Sequence, residues 1–228
     1  MVMDLKLNLL EKYLLIALDD EKGKFINDSI YLHYGFAGAI MLELAIRGKI
    51  EVHGEKILLK DKSTEKEIAL NKAILYLAEE GEMKTKDLIG KLAKKASQFK
   101  NDTLQRLINK GVLEKREDKF LWIFSNDKYP TQNMLPESKV RERLNEVVLQ
   151  HKKPQAEDLM LLSLINVSNL TKEAFRELDN HKEIKKKIEE LTSEMKISQV
   201  INSSIREIQA AIMIAISSAV IVTTVTNN

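Results

Sequence analysis

Residues Leu7–Val52 read LNLLEKYLLIALDDEKGKFINDSIYLHYGFAGAIMLELAIRGKIEV, and the order of parts in this stretch decides the fold. Leu10, Tyr13, Leu14, Ala17 and Leu18 recur at the i, i+3, i+4 spacing of an amphipathic helix. That run ends in the acidic turn Asp19-Asp20-Glu21-Lys22-Gly23. Adjacent acids in a turn serve turn and cap hydrogen bonding; they do not converge on one substrate atom. Asn27-Asp28-Ser29 supplies an N-cap for a second helix, and Gly35 and Gly38 near its start allow a close backbone approach. Arg47-Gly48 stops this helix, with glycine as the left-handed residue beyond its end.

Outward from this stretch, Ile50-Glu51-Val52 and Ile57-Leu58-Leu59 flank His53-Gly54 as a small hairpin. Thr64-Glu65-Lys66-Glu67 has the form of a capping box ahead of a helix with Ile68, Ala69, Ala73, Ile74 and Leu77. Thr85-Lys86-Asp87 caps a helix bearing Leu88, Leu92 and Ala96; the next carries Leu104, Leu107 and Ile108 and ends at Gly111. Val112–Phe124 reads as a hairpin with a charged tip and the apolar return strand Phe120-Leu121-Trp122-Ile123-Phe124. Alternation turns Phe120, Trp122 and Phe124 to one face and Leu121 and Ile123 to the other.

Beyond Pro130 and Pro136 the pattern is helical, with a break at Pro154. Ile208–Val225 holds no charged residue and no polar face. Ser217, Ser218, Thr223 and Thr224 dilute it and no basic flank follows, so it reads as a helix buried all round and not as a membrane span. The expected fold is mainly α: a single globular domain over residues 1–228, with a central apolar helix and short β-hairpins.

Composition excludes several function classes. Thirty-six basic residues against 34 acidic ones leave a net charge of +2, too even to name a partner, so any anion-binding surface is a local patch. The absence of cysteine rules out disulfides, thiolate metal sites and cysteine nucleophiles, and agrees with a cytoplasmic setting. No basic-then-apolar leader follows Met1, so no signal peptide is implied. His33, His53, His151 and His181 are far apart, and no phosphate-binding glycine loop or nucleophile elbow occurs. No catalytic residue, metal or cofactor is expected. The local basic patch is Lys91–Lys100, KLAKKASQFK, with four lysines and no acid. With Leu88, Leu92 and Ala96 inward, Lys91, Lys94 and Lys95 face outward. By itself this pattern also fits an ordinary solvated helix face.

Residues Leu9–Leu18 and Gly35–Lys49 closely follow a signature of the form L-x-x-x-E-x-x-L-L-L-x-L-x-D-x-x-G, then G-L-x-G-x-x-L-x-E-L-A-L-R-G-R. The chain thus resembles the Golgi phosphoprotein 3 family of phosphatidylinositol 4-phosphate adaptors, and in particular its prokaryotic members. The resemblance implies a non-enzymatic, peripheral membrane protein of the cytoplasm whose partner is an anionic membrane lipid. It raises Lys91, Lys94, Lys95 and Lys100 to headgroup-binding candidates. It makes Phe120, Leu121, Trp122, Ile123 and Phe124 a hairpin for membrane insertion or homo-oligomer formation. The family's headgroup pocket combines a tryptophan with three arginines; Ile26, Ala37, Ser97 and Lys100 stand at those positions here. The lipid's identity is therefore left open, and client proteins are not named by the sequence.

Two alternatives remain. Helix, helix, glycine, hairpin is also the outline of a winged helix, with Thr103–Lys110 as recognition helix and Lys115–Lys119 as wing tip. Glu117 and Asp118 at that tip would repel phosphates, so nucleic acid is not expected. The other alternative is a protein–protein adaptor without lipid binding.

Overall fold

Asn8 starts the fold. In the computed structural model, which describes residues 5–26, 30–120, 124–194 and 203–226, its Oδ1 accepts from Glu11 N at 2.9 Å. Asn8 N donates back to Glu11 Oε2 at 2.8 Å. This reciprocal capping box opens α1 (Leu9–Ala17). There follow α2 (Ile30–Ile46), β1 (Ile50–His53), β2 (Lys56–Leu59), α3 (Ile68–Glu80), β3 (Met83–Lys84), α4 (Thr85–Lys94) and α5 (Ala96–Asn109). Then come β4 (Arg116–Phe120), β5 (Phe124–Lys128), α6 (Leu135–Val148), α7 (Ala156–Val167), α8 (Thr171–Ala174), α9 (His181–Glu194) and α10 (Ser203–Thr226). The chain is mainly α, as the periodicities predict.

The central apolar helix is α2. Leu32, Phe36, Ala37, Ala39, Ile40, Met41, Leu42 and Leu44 all lie in the core, and α1, α3, α4, α5, α7 and α10 pack around it. A helix apolar on every side is stable only when wrapped in this way. Its two glycines set the spacing. A Cβ on Gly35 would sit 2.1 Å from Ser168 Oγ and 2.2 Å from Tyr13 Oη, and one on Gly38 would sit 2.5 Å from Ile212 Cδ1. The chain leaves α2 through Gly48 at φ +68°, the left-handed stop expected of Arg47-Gly48.

α10 departs from expectation. Ile205, Ile208, Ile212 and Ile216 are buried, but Met213 and Ile214 are each 55% exposed. Between Ile205 and Ala219 the helix covers one flank of α2 and leaves Met213 and Ile214 on its outer side. Among the described residues, no helix is long and apolar enough to cross a membrane.

The first hairpin is as expected, in register from Ile50↔Leu59 to His53↔Lys56, and β3 extends it to a three-stranded antiparallel sheet. The second is not. Its ladder runs from Arg116↔Lys128 to Phe120↔Phe124, so the charged run is the first strand and not the tip. Phe120 and Phe124 close the ladder together, which replaces the expected apolar return strand. Leu121, Trp122 and Ile123, like the expected cap at Asn27-Asp28-Ser29, lie outside the described residues. Two other caps also differ. Glu67 precedes α3 without a side-chain cap bond, because its carboxylate is drawn to Arg47 and Arg106. Thr85 is the first residue of α4, and its Oγ1 donates to Glu55 O at 3.1 Å.

Candidate anion-binding site

Helical phase separates the four candidate lysines. Lys91–Lys100 is not one helix: α4 ends at Lys94, Lys95 (φ −99°, ψ 5°) is shared as a cap, and α5 begins at Ala96. Lys91, Lys94 and Lys95 stay on the outer side of α4. Lys91 pairs with Glu80 at the end of α3, and that hydrogen bond raises the lysine pKa and lowers that of the carboxylate. Lys95 Nζ lies 4.8 Å from the centroid of the Tyr76 ring, and Lys94 is exposed. This outer face is therefore partly neutralised by α3.

Lys100 belongs elsewhere. It is only 5% exposed, with Nζ 4.5 Å above the Phe25 ring and 3.4 Å from His33 Nε2. A cation over an aromatic face in a partly desolvated place gains attraction from the ring quadrupole. Ile26, next to Phe25, is 44% exposed, Ser97 is exposed, and Ala37 is fully buried in the core. Of the expected pocket positions, Lys100 meets Phe25 and His33 where the loop after α1, the start of α2 and the first turns of α5 come together, and Ile26 follows Phe25 in sequence. Phe25 and His33 were missed in the sequence because neither follows a periodic pattern that ties it to α5.

The acidic turn is a structural junction. Asp19 Oδ1 accepts from Glu21 N and Lys22 N at 3.1 and 2.7 Å, and Gly23 at φ +62° accepts from Tyr129 N at 2.7 Å. A Cβ on Gly23 would lie 2.3 Å from Pro130 N, so only glycine lets the chain after β5 come this close. Asp20 accepts from Thr131 Oγ1 at 3.1 Å and pairs with Arg176.

Glu137, 2% exposed on α6, faces the same Asp20 and takes Arg141 Nε at 2.7 Å. Burial and then the hydrogen bond with Asp20 push the Glu137 carboxyl up to about 7, against the pull of Arg141. Burial also opposes ionisation of Asp20, but Glu137 and Arg176 outweigh it and hold that carboxyl below its usual range. Glu137 therefore holds its proton to higher pH than Asp20 does.

The winged-helix outline is present as α4, α5, β4 and β5, yet the cations of its would-be reading helix point inward. Arg106 Nε and Lys110 Nζ bind Glu11 Oε1 at 2.9 and 2.6 Å, and Gln105 donates to Asn109 at 3.0 Å. Among the described residues, no group of three or more histidines, aspartates or glutamates could hold a metal ion. The family model of Golgi phosphoprotein 3 (GPP34) matches residues 9–211, from the first residue of α1 into α10.

Proposed function

Because the chain belongs to the Golgi phosphoprotein 3 family, we propose that it is a non-enzymatic, cytoplasmic adaptor that attaches peripherally to membranes. On this reading it recognises anionic phosphoinositide-type headgroups, with phosphatidylinositol 4-phosphate the ligand the family resemblance implies. The observation that carries the reading is Lys100, a cation held under Phe25 and beside His33 at a headgroup position of the family. Exposed Ile26 offers an apolar contact beside it, and the lysines of α4 add longer-range attraction of ~1 kcal/mol per charge near an anionic surface. A lysine cannot give the bidentate fork of an arginine, so weaker discrimination among phosphorylated headgroups is expected.

Co-sedimentation with phosphatidylcholine vesicles, with and without phosphatidylinositol 4-phosphate, tests the proposal. The protein should pellet only with the phosphorylated lipid, and Lys100→Gln should abolish pelleting. Trp122 is the only tryptophan, so its emission reports the hairpin alone; a blue shift on vesicle addition is the expected sign of insertion. Pelleting lost on charge reversal at Lys91, Lys94 and Lys95 but kept in Lys100→Gln would move the site to the outer face of α4. A salt-sensitive duplex DNA shift would favour the winged-helix alternative.

A further inference from the structure

On α10, Ala210, Met213, Ile214 and Ser217 recur at i, i+3, i+4 and i+7 and all are exposed, while Ile208, Ile212 and Ile216 are buried. A helix with one face in water ordinarily sets charged residues opposite its apolar stripe. This one does not: no charged residue occurs from Gln209 to Asn228. The hydroxyls on this side are turned back on the helix. Ser217 Oγ donates to Met213 O at 2.9 Å and Ser218 Oγ to Ile214 O at 2.8 Å, so both protons are already bonded. Glu207, the one acid of α10, precedes the stripe, and its Oε2 is buried.

The surround of this face has a sign. Besides α2, the helix packs on α4, β1 and α7. Acids of β1 and α7 are engaged by cations: Glu51 by Lys60 at 3.2 Å, Glu157 by Lys12 at 2.9 Å and Asp158 by Arg143 at 2.7 Å. On α4 the balance is basic, with Lys86, Lys91 and Lys94 against the single acid Asp87, and Lys86 and Lys94 are exposed. An apolar, uncharged helix face beside a lysine-bearing rim is the composition of a helix that lies in the boundary of an anionic bilayer. A second copy of the chain, docked about a two-fold axis, would bring the same basic rim from both sides with no surplus acid to meet it.

We infer that the outer face of α10, flanked by the lysines of α4, rests on an anionic bilayer surface, with Met213 and Ile214 entering the boundary between headgroups and acyl chains. The inference rests on the peripheral attachment proposed above and adds to it the face that meets the membrane. Apolar area and summed charge hold such a contact, so it responds to the net charge of the bilayer and not to the identity of one headgroup. Choice among headgroups stays with the site around Lys100.

Single-cysteine labelling of the full chain tests the face, since the sequence has no cysteine of its own. Met213→Cys places a bimane label on the stripe. Met134→Cys, at a side chain 51% exposed beside α6, places it on a helix that packs on α1, α7 and α9. With phosphatidylcholine vesicles containing phosphatidylglycerol, the label at position 213 should shift to the blue and the one at 134 should not. Met213→Asp/Ile214→Asp should weaken co-sedimentation with these vesicles roughly tenfold or more, with the melt unchanged because both side chains are already exposed. Met213→Leu/Ile214→Val should pellet as the wild type does. Pelleting with phosphatidylinositol 4-phosphate that needs Lys100 but leaves the label at 213 unshifted overturns this inference and keeps the proposed function. Pelleting with phosphatidylglycerol and a shift at 213 that survive Lys100→Gln keep the inference even where the phosphoinositide reading fails. Absence of pelleting with either lipid overturns both. Equal shifts at 134 and 213 overturn the inference, as does a double aspartate variant that loses oligomeric mass yet still pellets, which assigns the face to a second copy.

Discussion

Arg106 and Glu11 are 95 residues apart in sequence, yet Arg106 Nε donates to Glu11 Oε1 at 2.9 Å. Glu11 is fully buried, caps α1 through Asn8, and also receives Lys110. Arg106 continues to Glu67, and Glu67 to Arg47, whose Nε reaches Glu43 at 2.8 Å. Glu43 in turn accepts from Leu9 N, the first amide of α1, at 3.0 Å. Glu11, Glu43 and Arg47 of the signature are thus links in one network that ties α1, α2, α3 and α5 together. Burial works against the charge on Arg47, but Glu67, Glu43 and Glu65 outweigh it and raise its pKa further.

Removing the buried end of this network should be severe. Glu11→Ala leaves Arg106 and Lys110 facing a buried gap and should cost ~3–5 kcal/mol, the range for breaking a buried ion pair on one side. Lys12→Ala removes a partly exposed pair with Glu157 and should cost ~1 kcal/mol or less. Urea unfolding of both variants checks the contrast; equal losses would mean the network carries no special weight.

Stability should fall as pH rises toward neutrality. The Glu137 carboxyl is raised from its ordinary value to about 7, so between those values the folded chain holds a proton that the unfolded chain has released. Its contribution is complete below the unfolded pKa and disappears as pH passes the folded one, an effect on the order of 3 kcal/mol. The depressed Asp20 acts only at more acidic pH. Glu137→Gln can accept from Arg141 and donate to Asp20 without a titrating proton. Melting temperature measured from pH ~5 to ~8 should decline in the wild type and be flatter in this variant.

The two glycines of α2 should respond unequally to alanine. In Gly35→Ala the new methyl meets both partners of the 2.6 Å Tyr13–Ser168 hydrogen bond, so overpacking and a lost buried bond together should cost about 3–4 kcal/mol. In Gly38→Ala the nearest obstacle is the far end of Ile212, which can rotate, and the gain in helix propensity offsets part of the strain. A cost of about 1 kcal/mol or less is expected there. Chemical denaturation ranks the two.

Charge reversal should divide the lysine cluster. Glutamate at Lys91, Lys94 and Lys95 together alters only the outer face of α4 and should leave the circular-dichroism melt little changed. Lys100→Glu places a carboxylate in a site that is 5% exposed and should lower stability by several kcal/mol. A stable, cooperatively melting Lys100→Glu protein would contradict the burial of that side chain.

These residues also mark what the sequence could reveal. Local signals were readable: the period of α1, the glycine stop after α2 and the first hairpin all depend on neighbours in sequence. The burial of Lys100 was not legible, because the backbone breaks at Lys95 and the helical phase restarts between the stripe Leu88, Leu92, Ala96 and that lysine. The second hairpin was misread because its strand REDKF has no apolar alternation, so the register is set by docking against the Asp19–Gly23 turn. The Arg116–Lys128 pairing shares that cause. No local pattern brings a turn near residue 22 to a strand near residue 128.

The one-sided seat of α10 has a consequence for biosynthesis. Ile212 closes over the spot that Gly38 leaves open, and it is supplied some 170 residues after that glycine is made. A chain emerging from the ribosome N-terminus first therefore carries α2 with one apolar flank uncovered through most of its synthesis. Long-range closure of this kind is slow and exposes sticky surface while it waits. Truncation before Ile205 should thus yield a product that needs chaperones to stay dispersed, even though every other helix around α2 is present.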